Sequence, residues 1–165
     1  MGGIIWLASY PKSGNTWLRV FLANLRGDLE LPVEINEFDF APIASRRRIF
    51  DEETGIEASD LTSYEIDRLR PEVYEQLAAK ADEILFMKVH DAYTTNDRKL
   101  PLFPEKATVG TIYIIRNPMD VAISFPHHSG LQSLSQHHLH QTLKGGYSGP
   151  SSQVRRNDPY RPFFH

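Results

Sequence analysis

Gly3-Ile4-Ile5-Trp6-Leu7-Ala8 runs without a break into Ser9-Tyr10-Pro11-Lys12-Ser13-Gly14-Asn15-Thr16-Trp17-Leu18-Arg19. The apolar run predicts a short buried strand, the Pro-Lys-Ser-Gly run a tight loop, and the residues from Thr16 on the start of a helix. Backbone N–H groups at a helix start have no intrahelical partner, and the helix dipole adds partial positive charge there. An anion at 13–16 is therefore held by the main chain. Gly14 permits close approach, Lys12 brings a full charge, and the hydroxyls of Ser13 and Thr16 bring further donors. The stretch reads as a phosphate or sulfate cradle. Its rival is a turn capping an amphipathic helix, with Ser13 as N-cap and Trp17, Val20, Phe21 and Leu25 as a core stripe.

The spacing differs from the phosphate-binding loop of nucleotide hydrolases, Gly-x-x-x-x-Gly-Lys-Ser/Thr, in which the lysine follows the second glycine. Here Lys12 precedes Gly14. With Gly14 set on that second glycine, Asn15 falls where the lysine belongs and Thr16 where the magnesium-holding hydroxyl belongs.

A chain of 165 residues, 41% hydrophobic and 24% charged, is long enough for one globular domain with a core. A net charge of −3 argues against bulk attraction to nucleic acid, so the cradle is a local feature. The absence of cysteine excludes disulfides and thiolate metal sites. No apolar run approaches the ~20 residues of a membrane helix. These features predict a soluble, cytoplasmic protein without a membrane partner.

Helical spacing continues to Leu25, and Gly27 follows as a C-cap. Residues 29–56 lack a period and carry Arg46-Arg47-Arg48, which reads as a solvated face in a long excursion with short helical pieces. Thr62-Ser63-Tyr64-Glu65 is a capping box, and Pro71 predicts a break near Arg70 between two short helices. Residues 83–89 predict a strand that delivers His90 at its carboxyl end. Residues 108–115 read as the clearest buried strand, ending in Arg116-Asn117-Pro118. Asn117 suits an N-cap, Pro118 the first helical position and Asp120 the first turn. Strands leading into loops or helices predict an α/β protein with a mostly parallel sheet, in which ligands sit beyond the carboxyl ends of the strands. Lys12, His90 and Arg116 are all expected there.

Residues 10–17 resemble the 5′-phosphosulfate loop of the sulfotransferases that use 3′-phosphoadenosine 5′-phosphosulfate (PAPS). Residues 113–125 resemble the 3′-phosphate segment of that family, Arg-Asn-Pro-x-Asp-x-x-x-Ser, and Lys88-Val89-His90 resembles the Lys-x-His that ends its catalytic strand. The resemblance runs from Gly3 to about His128 and is greatest to small bacterial members. It implies a P-loop-containing nucleotide-hydrolase-like three-layer fold with a mostly parallel central sheet. It also implies PAPS as sulfuryl donor, a small-molecule acceptor with a hydroxyl or amine, and no required metal. Lys12 would stabilise the bridging oxygen as its bond to sulfur breaks, while Ser13, Gly14, Asn15 and Thr16 hold the 5′-phosphate and Trp17 packs on the adenine. Many relatives have a second threonine where Asn15 stands, whose amide can still donate. Arg116 and Ser124 would hold the 3′-phosphate; without the resemblance, Arg116 reads as an ion-pair partner of Asp120 and Ser124 as a packed helical hydroxyl. His90 is the candidate general base, with Lys88 two positions earlier on the same strand face to orient the sulfuryl oxygens.

Residues 129–165, rich in Ser, Gln, His, Gly, Pro and Arg, show no period and predict an irregular or disordered tail beside a partial sulfotransferase domain at 1–128. His137-His138-x-His140 lacks the carboxylates or cysteines that would complete a metal site. The expectation is a member truncated after the 3′-phosphate segment, through a reading-frame change near 125–130, with its C-terminal part missing. Two other functions stay open from sequence: a non-catalytic remnant that binds adenosine 3′,5′-bisphosphate weakly or not at all, and a P-loop nucleotide kinase.

Overall fold

The computed structural model describes residues 2–27, 32–34 and 39–129. They belong to two units, one ending at Arg116 and the other beginning at Asn117. In chain order the elements are β1 (Gly3–Ser9), α1 (Asn15–Arg26), α2 (Arg47–Thr54), α3 (Ser63–Lys80), β2 (Ile84–Val89), β3 (Thr108–Ile114) and α4 (Pro118–Ser129). The α/β class and the parallel sheet expected from sequence are both found. The strand order is β2-β1-β3, with β1 in the centre and parallel to both neighbours. The tail at 130–165, with its histidine cluster, lies outside the described residues.

Pairing parity divides the sheet into two faces. Trp6 is level with Met87 and Ala8 with Val89, so these side chains share one face; Leu7, level with Lys88, belongs to the other. The first face is the dry one. The Trp6 ring meets Tyr74 and Phe103 edge-on, each with centroids 5.0 Å apart. Its Nε1–H donates to Thr108 Oγ1 at 2.8 Å, so burial leaves no orphan donor. Ile4, Val73, Ala78, Met87, Val89 and Leu102 belong to the same cluster. Ser9 closes β1 with the parity of Leu7, and His90 follows β2 with the parity of Lys88.

α3 corrects the expectation of two short helices. It is one helix of 18 residues with Pro71 inside it. Proline has no N–H, so the carbonyl of Asp67 loses its helical partner; Asn96 Nδ2 donates to that oxygen at 3.2 Å instead. The capping box is present: the Thr62 side chain accepts from Glu65 N–H, and Glu65 Oε2 accepts from Thr62 N–H at 2.8 Å.

α1 keeps the expected period but turns a different side to the sheet. Trp17, Phe21 and Leu25, expected as core, are exposed, with Trp17 at 71%. Trp17 instead stacks on Phe21, centroids 5.7 Å apart and planes 7° from parallel. The covered side carries Asn15, Leu18, Arg19 and Leu22. Asn15 donates to Leu7 O, and Arg19 donates to Phe40 O from Nε at 2.9 Å and Nη2 at 2.6 Å. These polar anchors fix the rotation of the helix, which apolar periodicity alone does not reveal.

β3 forms where expected but is not buried. Among the described residues it lies at the sheet edge, and Val109, Ile112 and Tyr113 are exposed. A run of β-branched residues specifies extended backbone; whether it is covered depends on what packs against it. In the second unit α4 starts as predicted: Asn117 Oδ1 accepts from Met119 N–H at 3.0 Å, followed by Pro118 and, in the first turn, Asp120. Among the described residues no helix is long and apolar enough to cross a membrane.

Candidate active site

The loop between β1 and α1 is a turn closed by Ser13 N–H to Tyr10 O at 3.2 Å. Lys12 has φ 67° and Gly14 φ 102°, both in the left-handed region. Such a backbone costs a lysine roughly 1 kcal/mol or more, and glycine far less. Gly14 is the N-cap and no side chain caps α1, so Ser13 is not the cap that the rival reading made it. A Cβ built on Gly14 would meet nothing within 4 Å. The first N–H groups of α1 are left for a partner from outside the helix. Ser13 and Asn15 are buried, while Thr16 is exposed at the mouth.

Three cations gather at this end of the sheet. Burial, and then the nearby positive charges of Arg19 and Lys12, pull the Lys88 ammonium below the ordinary lysine range. Burial likewise lowers Arg19, partly offset by Asp39. Mutual repulsion of this kind disfavours the empty site and is relieved by an anion.

His90, at the end of β2, reaches the end of β1. Its Nδ1 lies 2.7 Å from Ser9 O and 3.3 Å from Ser9 Oγ. Its imidazole is shifted below the ordinary histidine range, chiefly by desolvation and secondarily by Lys88; the Ser9 hydrogen bond and Asp91 act the other way. The ring is therefore neutral at neutral pH and able to accept a proton. Asp91 is held by Arg70 Nη1 at 3.1 Å, and Arg70 also pairs with Asp67 at 3.3 Å, which ties the segment after His90 to α3.

The end of β3 joins the same rim, because Arg116 Nη1–H donates to Lys12 O at 3.1 Å. Lys12, Lys88, His90 and Arg116 are thus brought together as expected. Ser124 lies on α4 in the second unit, one helical turn beyond Asp120, and is placed there by its own helix. Asn15 is placed differently from the expectation that its amide serves a phosphate. Its Nδ2 is committed to Leu7 O at 2.8 Å and Ser9 Oγ at 3.1 Å, so what it offers a ligand is its main-chain N–H. Sequence reasoning missed Ser9 and Arg19. Ser9 shares strand parity with Leu7, but only the β1–β2 pairing shows that this parity leads to His90. Among the described residues no group of three or more His, Cys, Asp or Glu is placed to hold a metal ion.

The sulfotransferase domain family matches residues 4–148 of the chain. Comparison with curated proteins and with solved structures gave no match. The matched span runs past His128, where the quoted motifs give out. A match over this much of the chain makes it a member of the sulfotransferase family, and so of the transferases.

Proposed function

We propose that this sulfotransferase-family chain transfers a sulfuryl group from PAPS to a hydroxyl or amine of a small acceptor. The observation that carries the reading is the joining of three strand ends on one rim: His90 bonded to the end of β1, and Arg116 bonded to the loop that presents Lys12. The residues present fit a doubly anionic nucleotide. Unpartnered helix-start N–H groups and open space at Gly14 suit a 5′-phosphate, and an arginine fork suits a 3′-phosphate.

When bound, PAPS supplies the sulfuryl group: the bond from sulfur to the bridging oxygen breaks, the electron pair stays on that oxygen, and adenosine 3′,5′-bisphosphate is left. Lys12 sets its ammonium where that negative charge develops, and the Ser13 hydroxyl with the main-chain N–H groups of Gly14, Asn15 and Thr16 holds the 5′-phosphate. Thr16 adds its hydroxyl, and the exposed ring of Trp17 offers a stacking surface to the adenine. Lys88 neutralises the sulfuryl oxygens, and Arg116 holds the 3′-phosphate, the group for which the sequence resemblance also names Ser124. His90 takes the proton of the acceptor as its oxygen or nitrogen bonds to sulfur. Fixed cations and N–H groups carry the charge stabilisation, so the reading requires no metal.

Calorimetry with adenosine 3′,5′-bisphosphate in the absence of magnesium tests the cradle, and transfer of labelled sulfate from PAPS to a panel of phenols, alcohols and amines tests the chemistry. The expected results are metal-independent binding, and turnover lost in His90→Ala. Preference for magnesium ATP over the bisphosphate would sink the reading in favour of a nucleotide kinase, and a chain that binds neither would leave the non-catalytic alternative.

A further inference from the structure

The end of β1 carries a chain of polar contacts that neither the core nor the anion cradle requires. Asn15 is only 4% exposed, and its Nδ2 donates both to Leu7 O at 2.8 Å and to Ser9 Oγ at 3.1 Å. Its Oδ1, also buried, has no hydrogen-bond partner among the described residues. A side chain present only to fill space would avoid that orphaned acceptor. Ser9, equally buried, meets His90 with two atoms, its carbonyl oxygen at 2.7 Å from Nδ1 and its hydroxyl at 3.3 Å. A carbonyl oxygen only accepts. At 2.7 Å the hydrogen must therefore be on Nδ1, because the opposite tautomer would set two lone pairs against each other. The neutral ring then keeps its lone pair on Nε2.

We propose that Asn15 is a positioning residue for the proton acceptor. By tying Leu7 O to Ser9 Oγ it fixes the Ser9 peptide that takes the Nδ1–H of His90, and so leaves Nε2 as the atom that receives the proton. The inference rests on the reading of His90 as the base. It also makes the cradle and the base one mechanical piece: Asn15 gives its main-chain N–H to the start of α1 and its side chain to the strand end that holds His90. Asn15 touches neither donor nor acceptor through that side chain, and its effect passes through Ser9.

The test is nitrogen NMR of the full chain labelled in histidine, with the His90 signals identified by their loss in His90→Gln. The wild type is expected to hold the Nδ1–H tautomer. Asn15→Leu, which keeps about the same volume but removes the donor, and Asn15→Ala are both expected to give a tautomer mixture and a displaced acid limb of the pH–rate profile. Transfer should fall about tenfold or more while adenosine 3′,5′-bisphosphate binds within about threefold of wild type, because the main-chain N–H is unchanged. An Nε2–H tautomer in the wild type overturns the proposal, and so do variants whose tautomer and pH profile match the wild type. The spectrum needs no turnover. An error in the base assignment would show separately, as turnover retained in His90→Gln beside the expected tautomer shifts.

Discussion

α3 and α1 pack near the same central strand and are finished in opposite ways. α3 begins with both halves of a capping box and buries Arg70, Pro71, Val73, Tyr74 and Ala78. α1 begins on a left-handed glycine with no side-chain cap and buries one residue, Asn15. Ridding α1 of its open start would take only a serine or aspartate with ordinary φ at the cap, a change worth roughly a few tenths of a kcal/mol. The difference separates a helix built to hold the sheet from one whose first turn is left without a side-chain cap, as the proposed anion site requires. Changes in α3 should then lower stability and spare ligand binding, and changes at the start of α1 should do the reverse.

The largest expected effect is on the α3 side. Arg70 is buried between Asp67 and Asp91, and Arg70→Ala leaves two carboxylates without their cation. Both are partly exposed, so the expected loss is about 3 kcal/mol, the low end for breaking a buried pair. Thermal unfolding should show a fall of about 10 °C. On the other side, Lys12→Ala should lower transfer by about a hundredfold or more with little change in melting temperature. A melting temperature lowered as far as in Arg70→Ala would erase the contrast between the two helices.

Much of this division was legible in the sequence, and the remainder failed for identifiable reasons. Thr62 and Glu65, Asn117 and Pro118, and the order strand, loop, helix around Gly14 are local signals, set by spacing within one turn, and each is found. Pro71 misled because the breaking rule assumes that the freed carbonyl stays unsatisfied, whereas Asn96, distant in sequence, reaches it. Trp17, Phe21 and Leu25 misled because periodicity gives the period of a helix and not its phase; Asn15 and Arg19 set the phase through main-chain oxygens of other segments. The convergence of Lys12, His90 and Arg116 followed from the parallel-sheet rule. The part played by Ser9 and Asn15 required the register between β1 and β2, which no local pattern encodes.

A matched pair of cap variants sharpens the comparison at a smaller scale. Thr62→Ala removes a cap and should cost about 1 kcal/mol without altering the affinity for adenosine 3′,5′-bisphosphate. Gly14→Ala meets no atom within 4 Å but must keep φ near 102°. It should cost about 1 to 2 kcal/mol and also weaken the bisphosphate, since the new methyl group occupies the open side of the cradle. Urea midpoints and calorimetry on both variants check this. Equal affinities in the two would show that the anion does not lie over Gly14.

The smallest effect expected is the dependence of stability on pH through His90. Desolvation, followed by Lys88, holds its folded value below 6.5, against Ser9 and Asp91. Well above 6.5 the ring is neutral in folded and unfolded chains alike, and it contributes no pH dependence there. As pH falls through 6.5 the unfolded chain takes up a proton that the folded chain resists, so stability declines until the folded ring is protonated as well. The ring is partly exposed and solvent screening keeps the effect small. The measurable quantity is therefore the difference in urea midpoint between wild type and His90→Gln, which should be flat well above 6.5 and change as pH falls through that value. Transfer should follow the same group, with an acid limb whose midpoint lies below 6.5. A midpoint above that value would mean that Asp91 and Ser9 outweigh desolvation, and would move His90 from a base ready at neutral pH to one that is still partly charged.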